Sequence, residues 1–125
     1  MTREELKAYI FEEYGVVEDY PWENDNSSAV FRHSDNKKWF AIMLKVSSEK
    51  LGINSGKVID IVNVKCDNIL IGSLIKESGF FPAYHMNKSC WITAALDGTA
   101  DTEKVKWIVD MSFEATKNKV KNKLK

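Results

Sequence analysis

Cysteine is scarce in this chain, with two in 125 residues, Cys66 and Cys90. Two thiols are too few for a disulfide scaffold at this length, and both are expected to be reduced, buried small side chains. No apolar run approaches the roughly 18 residues of a membrane span. The opening MTREELKAYIFEEYG carries charges where a secretory peptide needs an apolar stretch. A soluble, cytoplasmic protein with no membrane partner is expected. Net charge is absent too, since 18 basic side chains balance 18 acidic ones. The whole molecule therefore lacks the positive field of a strong nonspecific nucleic-acid binder. No GxSxG elbow, HExxH pair or glycine-rich phosphate loop occurs, so the usual hydrolase and phosphate-loop signatures are missing.

What is present suits one globular domain over residues 1–125, with 44% hydrophobic residues to build a core and 29% charged residues to solvate it. The charge is unevenly spread. Residues 1–27 hold eight acids against Arg3 and Lys7, and residues 104–125 hold seven lysines against Asp110 and Glu114, giving −6 and +5. Such polarity serves either mutual neutralisation of two packed ends or orientation toward a polyanion.

Thr2 and Glu5 form a capping box before Leu6, Ile10 and Tyr14, which recur near helical spacing until Gly15. Residues 16–27, with Tyr20-Pro21-Trp22, read as a loop anchored by aromatics. SAVFRH and KWFAIMLKV flank the turn Ser34-Asp35-Asn36-Lys37 as a first hairpin. After a helical turn or loop around SSEKLGINSG comes a third strand, VIDIVNVKC. Asp67 caps a helix carrying Ile69, Leu70, Leu74 and Ile75 and closed by Gly79. FPAYH, the turn MNKS and CWITAAL make a second hairpin. Thr99 or Asp101 caps a last helix with the stripe Val105, Ile108, Val109 and Val120, whose Lys-rich end, 117–125, is expected to fray. The order α-β-β-β-α-β-β-α predicts an α+β fold, a two-layer sandwich with helices covering one face of an antiparallel sheet.

Strand alternation assigns Phe40, Ile42 and Leu44 to one face and Trp39, Ala41, Met43 and Lys45 to the other. In the second hairpin Cys90, Ile92, Ala94 and Leu96 fall on the core side, with Trp91, Thr93 and Ala95 opposite. Trp39 and Trp91 would then share a partly covered aromatic and basic face, fit for a small ligand, a protein partner or a second copy of the chain. The two turns echo each other, Asn36-Lys37 before Trp39 and Asn87-Lys88 before Trp91. As paired projections they would set Lys37, Lys38 and Lys88 on phosphates of double-stranded DNA, with Asn36, Asn87, Trp39 and Trp91 adding orientation or stacking. An Asn-Lys turn also arises because Asn tolerates left-handed backbone angles and Lys is simply solvated.

Tyr84 and His85 are candidates for ligand contact or for bracing the second turn. His33, Cys66, His85 and Cys90 are all potential zinc ligands, yet their spacing lacks the close pairs of structural zinc sites, so neither metal nor cofactor is expected. Cys90 alternates onto the apolar side, where a thiol stays protonated, and the chain is expected not to be an enzyme.

Particular residues carry a resemblance: Pro21-Trp22, Val30-Phe31-Arg32, Lys38-Trp39-Phe40-Ala41, Val64-Lys65-Cys66-Asp67, Trp91, Leu96-Asp97-Gly98 and above all PAYHMNK at 82–88. Over about residues 1–116 the chain resembles the MmcQ/YjbR family, small bacterial proteins commonly labelled DNA-binding. The resemblance implies a two-layer α-β(3)-α-β(2)-α fold, also seen in secretion chaperones, and a "double wing" mode of DNA binding. It supplies no reaction and no catalytic residues. The family often has histidine just before the tryptophan, where this chain has Cys90, so a histidine pair across the hairpin is not carried over.

Overall fold

In the computed structural model, which describes residues 1–118, Thr2 caps the first helix reciprocally. Its hydroxyl accepts from the Glu5 amide at 3.1 Å, and the Glu5 carboxylate accepts from the Thr2 amide at 2.8 Å. Helix α1, Arg3–Tyr14, ends at Gly15 with φ 68°. Strands β1 (Ala29–Arg32), β2 (Trp39–Ser47) and β3 (Val58–Lys65) follow, with a short 3-10 helix at Ser48–Leu51. Helix α2, Asn68–Leu74, is capped by the Asp67 carboxylate on the Ile69 amide at 2.9 Å. Strands β4 (Phe80–Pro82) and β5 (Trp91–Ala95) lead to α3, Thr102–Thr116, capped by Asp101. The five strands pair antiparallel in the order β1-β2-β3-β5-β4, the expected α+β arrangement. Among the described residues no helix is long and apolar enough to cross a membrane.

All three helices pack on one sheet face. Leu6 and Ile10 of α1, Ile71 and Leu74 of α2, and Val105, Ile108 and Val109 of α3 form one core with Ala29, Phe31, Ala41, Met43, Val62, Val64, Ile92 and Ala94. The alternation expected for β2 is therefore reversed: Ala41 and Met43 face the helices, and Ile42 faces away. The cause is a bulge. Phe31 pairs with Ala41 and Arg32 with Trp39, leaving Phe40 as an extra residue whose ring also enters the helix-side core. There it meets Phe113 edge-on at 5.0 Å. Trp39 is turned to the far face.

The β2–β3 ladder stops at Ala41 opposite Val64, just short of the bulged residue, and α3 extends it by one step. The Ser112 hydroxyl donates to the Phe40 carbonyl at 2.6 Å and accepts from the Lys65 amide at 2.9 Å, standing between the strands as a surrogate rung. Ser112 and Thr116, both buried, continue the stripe of Val105, Ile108 and Val109. Val120, expected to extend that stripe, and most of the segment expected to fray lie outside the described residues.

Other departures are local. Helix α2 stops at Leu74, with a cap at Ile75, short of Gly79, and Ile69 is 84% exposed where a core position was expected. Loop 16–27 is held mainly by polar groups: Asp19 bridges to Val30, and the Asp25 carboxylate accepts from the Ser27 and Ser28 amides and hydroxyls. That network lowers the Asp25 carboxyl to about 2. Its aromatics Tyr20 and Trp22 stay exposed.

Candidate functional site

Strand direction decides where the two hairpin connections lie. β2 and β5 are both antiparallel to β3, so they run the same way. Connection 33–38 enters β2 and connection 83–90 enters β5, and both therefore leave one end of the sheet. Lys65, the last residue of β3, lies between them.

The first connection is fastened to the end of α3. His33, buried, sets its Nε2 2.9 Å from the Thr116 hydroxyl, and the Asn36 amide donates to the Thr116 carbonyl at 3.0 Å. The Asn36 side-chain oxygen accepts from the Lys38 amide at 2.8 Å, and Lys37 takes φ 63°. The Asn36 amide group is thus occupied inside the protein. Lys37 and Lys38 are exposed and form no ion pair among the described residues.

Thr116 donates its hydroxyl proton to the Ser112 carbonyl at 2.7 Å, which leaves its oxygen free to accept from an N–H at His33 Nε2. Burial holds the His33 pKa below its ordinary 6.5. The unfolded chain then binds the extra proton first, so this contribution to stability is full above pH 6.5 and is lost as pH falls toward the lower folded value. His33→Gln, which keeps an N–H donor, should reduce the fall in melting temperature between pH 7.5 and 5.5. An unchanged pH dependence would locate the titration elsewhere.

The second connection is longer than the expected four-residue turn, because β4 ends at Pro82. Asn63, fully buried at the middle of β3, needs partners for its amide. Its Nδ2 donates to the Tyr84 carbonyl at 2.9 Å, its oxygen accepts from the Thr93 hydroxyl, and Thr93 accepts from the Tyr84 amide at 2.9 Å. These bonds draw residues 83–85 back over the far sheet face. His85 is exposed at φ 59°, its ring 4.0 Å from that of Tyr84. The Tyr84 backbone, rather than the His85 imidazole, makes these bracing bonds. The Asn87 side-chain oxygen accepts from the Ser89 amide and hydroxyl, and Lys88 donates to the Ala83 carbonyl at 2.8 Å.

Between the connections, the far face carries a row that runs across four strands: Arg32, Trp39, Lys65 and Trp91. Arg32 pairs with Trp39 and Lys65 with Trp91. Both indoles are half-buried, and with β3 between their strands they stand about 10 Å apart. The Arg32 guanidinium lies 5.9 Å from the Trp39 ring centroid and bonds Asp19 at 2.9 Å, while its buried Nε has no partner. Trp22 meets Trp39 edge-on at 5.7 Å. Arg32 and Lys65 lie in segments that carry the family resemblance, but neither is a site candidate read from the sequence. Their signal was position, since each ends a strand beside a tryptophan-bearing neighbour.

On the helix side, a cleft of about 750 Å³ opens between α2, α3 and the start of β5, lined by Cys66, Leu70, Cys90 and Met111 among others. Burial raises the Cys66 thiol to about 11. Asp110, also on its wall, accepts from the hydroxyls of Tyr9 and Tyr14, tying α1 to α3. Among the described residues no three His, Cys, Asp or Glu side chains gather as a metal site.

The molecule is thus a two-layer α+β protein whose paired hairpin connections share one sheet end with a mixed aromatic and basic row. The YjbR family model matches residues 12–115, and the chain belongs to that family. It is 37% identical to the uncharacterised protein YyaQ of Bacillus subtilis over 117 residues, 94% of this chain and 99% of that one. A Pseudomonas syringae protein solved by crystallography superposes with TM-score 0.90 at 41% identity, covering 94% of this chain and all of that one. A Deinococcus radiodurans protein at 23% identity shares the fold, with TM-score 0.70 over 98% of this chain and 83% of its own.

Proposed function

We propose that this protein is a noncatalytic DNA-binding module that meets the duplex with the sheet end bearing both hairpin connections. The observation that carries the reading is the common direction of β2 and β5, which puts the connections side by side with Lys65 between them. Lys37, Lys38 and Lys65 supply phosphate contacts, and Lys88 retains two donors beyond its bond to Ala83. Asn36 and Asn87 shape the tips, the whole Asn36 amide and the Asn87 side-chain oxygen being engaged internally, and Trp39 and Trp91 back the surface. The sequence from Lys117 to Lys125 adds five lysines and no acid, starting directly after Thr116, which is bonded to the first connection. A net charge of zero is compatible with this reading because the acids concentrate elsewhere in the chain.

Anisotropy of a labelled duplex, measured between 50 and 200 mM salt, tests the reading. Double reversal, Lys37→Glu with Lys38→Glu, should weaken binding several-fold and lower the salt slope by about 2, roughly one for each phosphate no longer neutralised. Equal binding by variant and parent would remove the first connection from the interface, and no binding at low salt would reject the class. The alternative, a small-ligand or protein-interaction module, draws its support from the largely apolar cleft beside Cys66 and Cys90 more than from the aromatic row.

A further inference from the structure

The two cysteines of the chain, 24 positions apart in sequence, face each other. The β3–β5 register ends with Lys65 opposite Trp91, and one step further Cys66 lies opposite Cys90. The Cys66 amide donates to the Cys90 carbonyl at 2.9 Å. Both side chains line the same cleft, Cys66 buried and Cys90 half-buried, and both are free thiols. Directly opposed residues of a hydrogen-bonded antiparallel pair have Cα atoms about 5.5 Å apart, inside the range a disulfide spans. Their Cβ atoms need to approach by roughly 1–2 Å.

The local structure permits that approach. An interior pair of this type exchanges two ladder bonds, but here there is one. The Cys90 amide is given instead to the Asn87 carbonyl of the turn, at 3.2 Å. Cys90 thus sits where the ladder ends and the connection begins, held to β3 by a single bond. The cleft of about 750 Å³ gives a small oxidant access to the pair from one side.

We propose that Cys66 and Cys90 form an oxidisable thiol pair that closes into a cross-strand disulfide on exposure to a hydroperoxide. Cys90 is half-buried on the cleft wall and not sealed in the apolar core as its alternation suggested, so it attacks the peroxide oxygen through its thiolate form and becomes a sulfenic acid, with the alcohol or water of the peroxide as leaving product. The Cys66 sulfur then attacks the Cys90 sulfur, the S–S bond forms, and the sulfenic hydroxyl leaves with the Cys66 thiol proton as water. Two thiols give up two electrons and two protons, and the peroxide takes both. Burial of Cys66 keeps it protonated during the first step, which makes it the resolving rather than the attacking thiol. The product staples the last position of β3 to the root of the second connection.

Reduced full-length protein treated with hydrogen peroxide, then unfolded and alkylated, tests this. The expected result is a monomer that has lost the mass of two hydrogens, takes up no alkylating agent, and yields a crosslinked Cys66–Cys90 peptide on digestion. Cys90→Ser should leave Cys66 alkylatable at peroxide doses that close the pair in the parent. Cys66→Ala should divert Cys90 to sulfinic acid or to an intermolecular disulfide. Parent protein accumulating sulfinic acid at Cys90 with Cys66 still free, or crosslinking only between chains, would overturn the proposal. None of these readouts involves nucleic acid, so the outcome is independent of the DNA-binding reading.

Discussion

Gly79→Ala is expected to lower the unfolding free energy by about 4 kcal/mol, a large part of what a domain of this size has. Two costs combine at this residue. Gly79 takes φ 86°, a left-handed angle that an alanine adopts only with strain of about 1–2 kcal/mol. An added Cβ would also lie 2.4 Å from the Ala100 amide nitrogen and 2.6 Å from its Cβ, contacts with backbone and a buried methyl that no rotamer change relieves. The turn into β4 and the turn into α3 touch here, so the substitution separates two elements at once. Gly72 supplies the control. It lies within α2 at ordinary angles with open space around its Cα, and Gly72→Ala should stabilise by about 1 kcal/mol. Denaturant midpoints of the two variants, with m-values checked for constancy, would show opposite signs. Equal effects would contradict the close approach of residues 79 and 100.

Ser112→Ala should cost about 2–4 kcal/mol, more than a typical hydroxyl deletion, because it orphans two main-chain groups together. The hydroxyl serves the Phe40 carbonyl and the Lys65 amide. Leaving the buried Phe40 carbonyl without a partner costs about 1–3 kcal/mol, and the partly buried Lys65 amide adds to that. Phe40 lies beyond the last β2–β3 pair and is fixed by its ring among Phe31, Tyr14 and Phe113, so its carbonyl is not free to swing onto the Lys65 amide. Hydrogen exchange gives the local readout: the Lys65 amide should lose protection in the variant well beyond the amides of β1. A Lys65 amide protected as in the parent would mean that the serine is not the rung between the strands.

Most of the fold was legible in the sequence because its signals are local. Thr2 with Glu5, Asp67 and Asp101 each advertise a helix start within one turn of chain, and β-branched runs mark the strands. What was not legible depends on contacts distant in sequence. The face of β2 cannot be read by alternation once Phe40 is a bulge, and the bulge is stabilised by Ser112, 72 positions away. The second connection looks like a four-residue turn until the buried amide of Asn63 is known to require the Tyr84 carbonyl, 21 positions away. The site was half legible. Pairing the two Asn-Lys turns pointed to two connections that do share a sheet end. The same pairing suggests outward-facing amides at both tips, yet Asn36 spends its amide on Thr116 and Lys38, and the Asn87 side-chain oxygen is held by Ser89. Polar residues that continue an apolar helical stripe, as Ser112 and Thr116 do after Val109, were the available hint of buried repair.

The borders of the sheet bear on how copies of the chain could meet. β1 and β4 are its outermost strands, four and three residues long. Asp19 already occupies backbone positions on the outer side of β1 at Val30, and β4 ends on Pro82, which has no amide proton to offer. Neither border presents the long, flat row of unpaired donors and acceptors that recruits a foreign strand. Strand-to-strand growth into ladders or fibres is thereby disfavoured at both sides, which leaves side-chain surfaces as the better route for association with a second copy.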